Sequence, residues 1–313
     1  MTFLSNPIAA AEPEAQDEQT QPGRRPFIEP GFYRNLSNAE YHGSFGTSSS
    51  QLKKLIEKTP AHLDFERRNP RESTAAMHLG TAMHTLVLEP ETFDQEIAVL
   101  PDLNLRTNAG KAAKVDFEEE HEGKTIITKP QLEQAQAMAA AVLEHPTASV
   151  LLQDIVPESS VYWWYNAIDP DDETPYREML KVRPDAISTS HSVVLDLKSC
   201  ADASYSGFIK SIQNFYYHVS AAMYLEGINQ CKQLMQELNE FRYNKFVFIC
   251  VENTPPYLVS VYELSREYLE IGKILFRRSV RQLHLGRQEQ WPGYPEDVRV
   301  IEPPPWAQRS FIV

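Results

Sequence analysis

Val193-Val194-Leu195-Asp196-Leu197-Lys198 is the stretch whose reading decides the fold. Apolar residues of high strand propensity run directly into Asp-Leu-Lys. Side chains alternate faces along an extended strand, so Asp196 and Lys198 point the same way. The run is too apolar for a solvent-exposed edge, which predicts a buried strand ending in a carboxylate and an ammonium. Eleven residues earlier, Asp185 stands in Lys181-Val182-Arg183-Pro184-Asp185. Two carboxylates on neighbouring strands can hold Mg²⁺ while a lysine sits beside a water or a phosphate. The same residues also fit a plain buried hairpin with a surface Asp–Lys pair. For Asp-x-Lys alone the plain hairpin is the better reading. The choice turns on whether other segments supply further ligands.

Working outward, Glu158 to Tyr165 is rich in aromatic and β-branched residues and reads as a strand. An acidic turn at Asp169 to Glu173 leads to a partner strand from Tyr176 through Val182. That turn lacks the Gly and terminal Glu of an EF-hand loop. With Pro184 to Ile187 and a turn at Ser188 to Ser192, these segments predict an antiparallel meander ending in the opening strand. Downstream, Asp202 to Met223 reads as one helix crowded with aromatics, in which Tyr217, Ser220, Ala221 and Tyr224 share a face. Such a stripe suits core packing, and next to the acids it also suits a substrate path. Phe246 to Val251 and Tyr257 to Tyr262 read as a hairpin across Pro255-Pro256. Ser265 caps a final basic helix to about Leu285.

Ahead of the meander, Ser37-Asn38-Ala39-Glu40 forms a capping box. Thr47 to Ser50 precede Gln51-Leu52-Lys53-Lys54-Leu55-Ile56, a helix start with Lys53 and Lys54 in its first turns. Free backbone donors and those lysines suit a phosphate; they equally suit an ordinary capped helix with a solvated face. Ala75 to Leu88 is small and apolar nearly all round, a buried helix. His78 and His84 lie about 600° apart around it, so they do not share a site. Alone, His84 reads as a core histidine. Ile97 to Leu100 and Thr125 to Thr128 read as short strands. Between them, Arg106-Thr107-Asn108-Ala109-Gly110-Lys111 is a polar turn suited to a nucleic-acid backbone or simply to solvent. Pro130 opens a helix through Leu143.

The 313 residues are 42% hydrophobic and 23% charged, with 43 acidic against 30 basic side chains and a net charge of −13. That balance suits a globular protein of one large domain or two small ones and argues against non-specific nucleic-acid binding, unless cations gather along a local path. Residues 1–26 are rich in Ala, Pro, Glu and Gln and read as a disordered arm. Residues 27–313 read as a single domain ending in a wrapping tail. Cys200, Cys231 and Cys250 show no metal-ligand spacing and read as reduced thiols. No apolar run is long enough to span a membrane, and the N-terminus has no secretory pattern. The expected location is the cytoplasm.

A helix, then strands carrying an acid and acid-x-Lys, then a helix, resembles the core of the PD-(D/E)xK nucleases. That core is an α/β (α+β) fold with a central mixed sheet flanked by helices. Residues 78–84, Arg-Thr-Asn-Ala-Gly-Lys (106–111), Glu-Ser-Ser-Val-Tyr-Trp (158–163), Arg-Pro-Asp (183–185), Asp-Leu-Lys-Ser (196–199) and Tyr-His-Val (217–219) carry the likeness further. In order and spacing they resemble the nuclease domain of the RecE-type exonuclease VIII family, over about residues 30–310. The resemblance implies metal-dependent digestion of linear double-stranded DNA from the 5′ end. A 3′ single strand would be left for a single-strand annealing protein in recombination. It also implies a homo-oligomeric ring, a trimer or tetramer, and a phage or prophage setting. His84, Asp185 and Asp196 resemble metal ligands, with the Leu197 carbonyl as another. Glu158 resembles the further acid on the metal or its water, and Lys198 the catalytic lysine. Tyr224 matches the tyrosine of a Gln-x-x-x-Tyr motif, but Ser220 stands where the glutamine belongs. Gln213 with Tyr217 has the right spacing in a poorer context. Mg²⁺ is the implied metal, with Mn²⁺ as a substitute given a histidine ligand. Arg106, Asn108, Lys111, Lys53, Lys54 and Tyr217 are the candidate DNA contacts.

Three readings compete. An iron–sulfur nuclease of the same fold needs four clustered cysteines. That iron–sulfur type stands for the single-strand-specific or 3′-directed exonucleases of this fold, whereas a site-specific restriction enzyme shares Asp and Asp-x-Lys without the His84 helix. A catalytically inactive DNA-binding scaffold is disfavoured by the intact Asp185, Asp196 and Lys198.

Overall fold

The computed structural model describes residues 25–231 and 242–304. The expected disordered arm lies almost wholly outside the described residues, as do the last nine residues of the expected wrapping tail. Before them, Pro292 accepts a hydrogen bond from the Ala61 N–H at 3.1 Å, and Tyr294 packs edge-on against His62.

Helix starts follow their capping residues. The Ser37 side chain accepts the Glu40 N–H and Glu40 returns to the Ser37 N–H, opening α1 (Asn38–Gly43) just after β1 (Gly31–Tyr33). Ser48 precedes α2 (Ser49–Glu57). Pro60, which cannot donate in a helix interior, begins α3 (Pro60–Arg68). Then come α4 (Ala75–Leu88), α5 (Phe93–Glu96), β2 (Ile97–Leu100), α6 (Asn108–Glu120), β3 (Thr125–Thr128), α7 (Lys129–Glu144) and α8 (Pro146–Leu151). The strands β4 (Ile155–Pro157), β5 (Ser160–Ile168), β6 (Pro175–Val182), β7 (Ala186–Ser188) and β8 (Val193–Cys200) follow. The described chain closes with α9 (Tyr205–Asn214), α10 (Tyr217–Gln230), β9 (Lys245–Glu252), β10 (Val259–Glu263) and α11 (Arg266–Gln288), the last capped by Ser265.

Five of the described strands form a mixed sheet, ordered β10-β9-β8-β7-β4. β8 lies at its centre, parallel to β9 and antiparallel to β7. Strand alternation splits the core between the two sheet faces. Val193, Leu195 and Leu197 pack with Ala82, Met83 and Met138 of α4 and α7. Val194 packs with Phe208, Val219 and Phe248 on the side of α9 and α10. Asp196 and Lys198 share the Val194 face, so they emerge under α10. β2 and β3 form a separate parallel pair.

The expected continuous meander does not form. β5 and β6 pair with each other and with β1 in a three-stranded antiparallel sheet, whereas β7 pairs with β8 and β4. The chain therefore changes sheets twice, at residues 158–159 and again at 183–185. Pro184 has no N–H with which to continue a ladder through the second crossing. The single helix expected over Asp202 to Met223 is likewise two helices. They break at Phe215 and at Tyr216, whose φ of 51° and ψ of 42° are left-handed. The polar turn expected at 106–111 is shorter: Arg106 lies in a turn, and α6 already begins at Asn108, with the Thr107 side chain accepting the Gly110 N–H. Among the described residues, no helix is long and apolar enough to cross a membrane.

Candidate active site

The two sheet crossings run side by side, and each carries an acid. Glu158 sits in the first, at a φ of 41° that a non-glycine residue rarely adopts. Its N–H donates to the Asp185 carbonyl in the second crossing at 3.0 Å. This single bond fixes the two acids as neighbours. The Asp185 side chain is fixed in turn by the Leu197 N–H, which donates to its Oδ2 at 2.6 Å. β7 ends opposite Leu195, so Leu197 lies on a stretch of β8 that β7 leaves open. The N–H and C=O of a strand residue leave on the same side, so the Leu197 carbonyl is directed to that opening too. α4 reaches the same place. Gly80 has Ser199 Oγ at the limit of contact from where a Cβ would stand, and His84 Nδ1 lies 3.7 Å from Asp185 Oδ2.

His84, Glu158 and Asp185 each offer a donor atom, and those atoms lie within 4.8 Å of one another. Asp196 is not one of this close group; its carboxylate is ion-paired with Lys198. A cleft of about 300 Å³ opens over Glu158, Asp196 and Lys198. Tyr217, Ser220 and Tyr224 of α10 line one wall, and Ser48, Ser49, Ser50 and Lys53 at the start of α2 line another. Arg183 is buried at its base. It donates to Asn38 Oδ1 at 2.8 Å, to the Leu36 carbonyl at 2.5 Å and to Ser160 Oγ at 2.9 Å, so it ties the approach to α1 to β5.

The electrostatics of the cleft are those of buried acids short of positive charge. Burial, reinforced by Asp185, pushes the Glu158 carboxyl up to about 8. Burial raises Asp196 to about 6, against the pull of Lys198. Burial disfavours the Lys198 ammonium, but Asp196 and Asp185 outweigh it and hold its pKa above the ordinary lysine value. Burial also raises the Tyr224 hydroxyl, so it stays protonated. Lys53 is lowered to about 8 by burial and then by the nearby Lys198. A bound dication fits this donor set. It would relieve the mutual repulsion of Glu158 and Asp185; the carboxylates and the carbonyl are hard ligands suited to Mg²⁺ or Mn²⁺, and the one imidazole leans the set toward Mn²⁺.

The remaining candidates divide. The Lys53 and Lys198 ammonium groups lie 5.6 and 5.4 Å from the Tyr217 ring centroid, so all three belong to the cleft. Lys54 lies outside the cleft, paired with Glu66 at 3.3 Å. Arg106, Asn108 and Lys111 are exposed around the start of α6 and do not line the cleft. Ser220 lines the cleft while Gln213 is exposed on α9, so the amide position facing the site holds a hydroxyl. Asn38, His42 and Arg183 are lining residues that the sequence did not single out. Arg183 adjoins the Pro-Asp pair, but its partner on α1, Asn38, lies 145 residues away and carries no local signal.

A mixed sheet with an acid entering its central strand's neighbour and Asp-x-Lys on that central strand defines the PD-(D/E)xK class. Residues 48–303 match the family model of the PDDEXK-like domain of unknown function (DUF3799), and the chain belongs to that family. Among solved structures, the chain is similar to one titled "Putative exonuclease" from Eubacterium rectale. The identity is 15%, with 89% of this chain and 98% of that one covered at a TM-score of 0.56, a likeness of fold. A crystal structure of SSO0001 aligns with a TM-score of only 0.27 at 13% identity over 67% of this chain and 87% of that one, too low to bear on the fold. No curated protein matches the chain.

Proposed function

We propose that this protein is a metal-dependent exodeoxyribonuclease that digests linear double-stranded DNA from its 5′ ends. The observation that carries a nuclease reading is the convergence of His84, Glu158 and Asp185, with Glu158 and the Asp196–Lys198 pair lining a cleft walled by the start of α2. His84, Asp185 and the Leu197 carbonyl would hold a divalent ion, with Glu158 and Asp196 completing or orienting its shell. When bound, that ion supplies Lewis acidity at the phosphate and a more acidic water. Lys198 keeps its proton, so it acts as a fixed cation beside the water or the phosphoryl oxygens. Tyr224 offers an O–H donor from α10. Lys53 and the free N–H groups of Ser49 and Ser50 offer positive potential for a second phosphate.

The polarity, the duplex substrate and the 3′ tails rest on the resemblance of the motifs to exonuclease VIII. So do an annealing partner, a recombination role and a ring of three or four subunits. A ring would place cations along the channel and reconcile DNA binding with a net charge of −13. The test is incubation with end-labelled linear duplex, circular duplex and single strands, in Mg²⁺ or in EDTA. Metal-dependent loss of linear duplex from 5′ ends is the expected result. Equal attack on circles, or loss from 3′ ends, would replace the proposed polarity with another nuclease activity.

A further inference from the structure

Beyond the catalytic cleft, past Lys53 and Tyr217, a second opening of about 250 Å³ continues the same surface. It shares Ser50, Lys53 and Tyr217 with the cleft and adds Lys54, Glu57 and Phe215. Phe215 is 55% exposed, although it sits between two helices that are otherwise well packed. Its place follows from the break between α9 and α10. Tyr216 adopts the left-handed region at a φ of 51°, a conformation that costs a non-glycine residue energy. The effect of that turn is to bring the Phe215 and Tyr217 rings together, 5.5 Å apart and inclined at 29°. Tyr217 is itself fixed, since Phe208 and Phe248 of the core lie 6.0 and 5.7 Å from it.

We propose that Phe215, backed by Tyr217, is a stacking platform for a nucleobase one or a few nucleotides from the scissile phosphate, with Lys53 and Lys54 on the intervening backbone. This rests on the nuclease reading above and specifies how that site holds its strand. The chemistry follows from the parts. An exposed flat ring next to a phosphodiester cleft has one natural ligand in a nucleic acid, the π-face of a base. Every base has such a face, so the subsite grips the strand without reading its sequence. Lys53 beside it matches the phosphate that must accompany that base, and Lys54 borders the opening from its ion pair with Glu66.

The test pairs protein and substrate changes. Wild type, Phe215→Ala and Phe215→Trp are assayed in Mg²⁺ on duplexes in which a single abasic residue is moved stepwise through the cut strand. Rates are read bond by bond on a denaturing gel, and thermal melts check that the exposed substitutions leave the fold intact. Phe215→Ala is expected to lower the rate at subsaturating DNA about fivefold or more, chiefly through KM. At one position the abasic residue should slow wild type and Phe215→Trp by a similar factor and leave Phe215→Ala no slower than it already is. Full activity of Phe215→Ala, or abasic penalties that are the same in both proteins at every position, overturns the platform and leaves the nuclease intact. A wild-type protein that cuts no DNA in Mg²⁺ overturns the nuclease reading and the platform with it.

Discussion

His84 Nδ1 lies 3.7 Å from Asp185 Oδ2, joining a helix on one face of the sheet to the loop by which the chain changes sheets. The arrangement is held from both sides, since Leu197 donates to the same Asp185 oxygen at 2.6 Å. Under the proposed function this side chain belongs to the metal shell, and its loss tests that role. His84→Ala is expected to weaken Mn²⁺ affinity at least about tenfold, taking the loss of supporting groups around metal ligands as a lower bound. Titration calorimetry on the folded variant reads this. Unchanged affinity removes His84 from the metal site.

Glu158 links pH to stability. Its carboxyl is pushed up to about 8 in the folded, metal-free protein against 4.5 for the free side chain. Between these values the native state binds the extra proton, so stability falls as pH rises. The contribution is fully present below about 4.5 and is lost as pH passes through about 8. Thermal melts in EDTA should therefore show a decline from pH 5 to pH 8 that is shallower in Glu158→Gln. Metal should restore stability most at the upper end, because it takes the place of the proton. The same slope in wild type and Glu158→Gln rejects this account.

Gly272 holds α10 in place. A Cβ there would stand 2.1 Å from the carbonyl oxygen of His218, a backbone atom that cannot swing aside. Gly272→Ala should force α11 off α10 at a cost of about 2 kcal/mol, with a lower Tm. α10 carries Tyr217, Ser220 and Tyr224, so activity should fall as well. A variant as stable as wild type shows that the helix contact is looser than described.

Much of this could be read directly from the chain. Val193 to Lys198 announced itself because its apolar alternation and its Asp-x-Lys end both fall within one strand. The hairpin of β9 and β10 and the caps at Ser37, Ser48 and Ser265 are also local patterns. The sheet exchange was not local. β6 is buried along most of its length, and such a run reads the same whichever strand lies beside it. Only Pro184 hinted that the ladder stops. The break at Tyr216 lacked a glycine or proline to mark it. Arg106, Asn108 and Lys111 had the right chemistry, but exposure and position are set by how α6 leaves β2, which composition does not encode. The exchange of sheets matters most, because the two crossings set Glu158 beside Asp185.

The central claim is that Lys198 serves the chemical step while the acids and His84 hold the metal. Lys198→Ala should cut end-labelled linear duplex at least about 100-fold more slowly than wild type in saturating Mg²⁺, yet keep its metal affinity within a few-fold by calorimetry. Asp196→Ala and Asp185→Ala should lose both. Normal turnover by purified Lys198→Ala would contradict the account at its centre, whatever the other variants did.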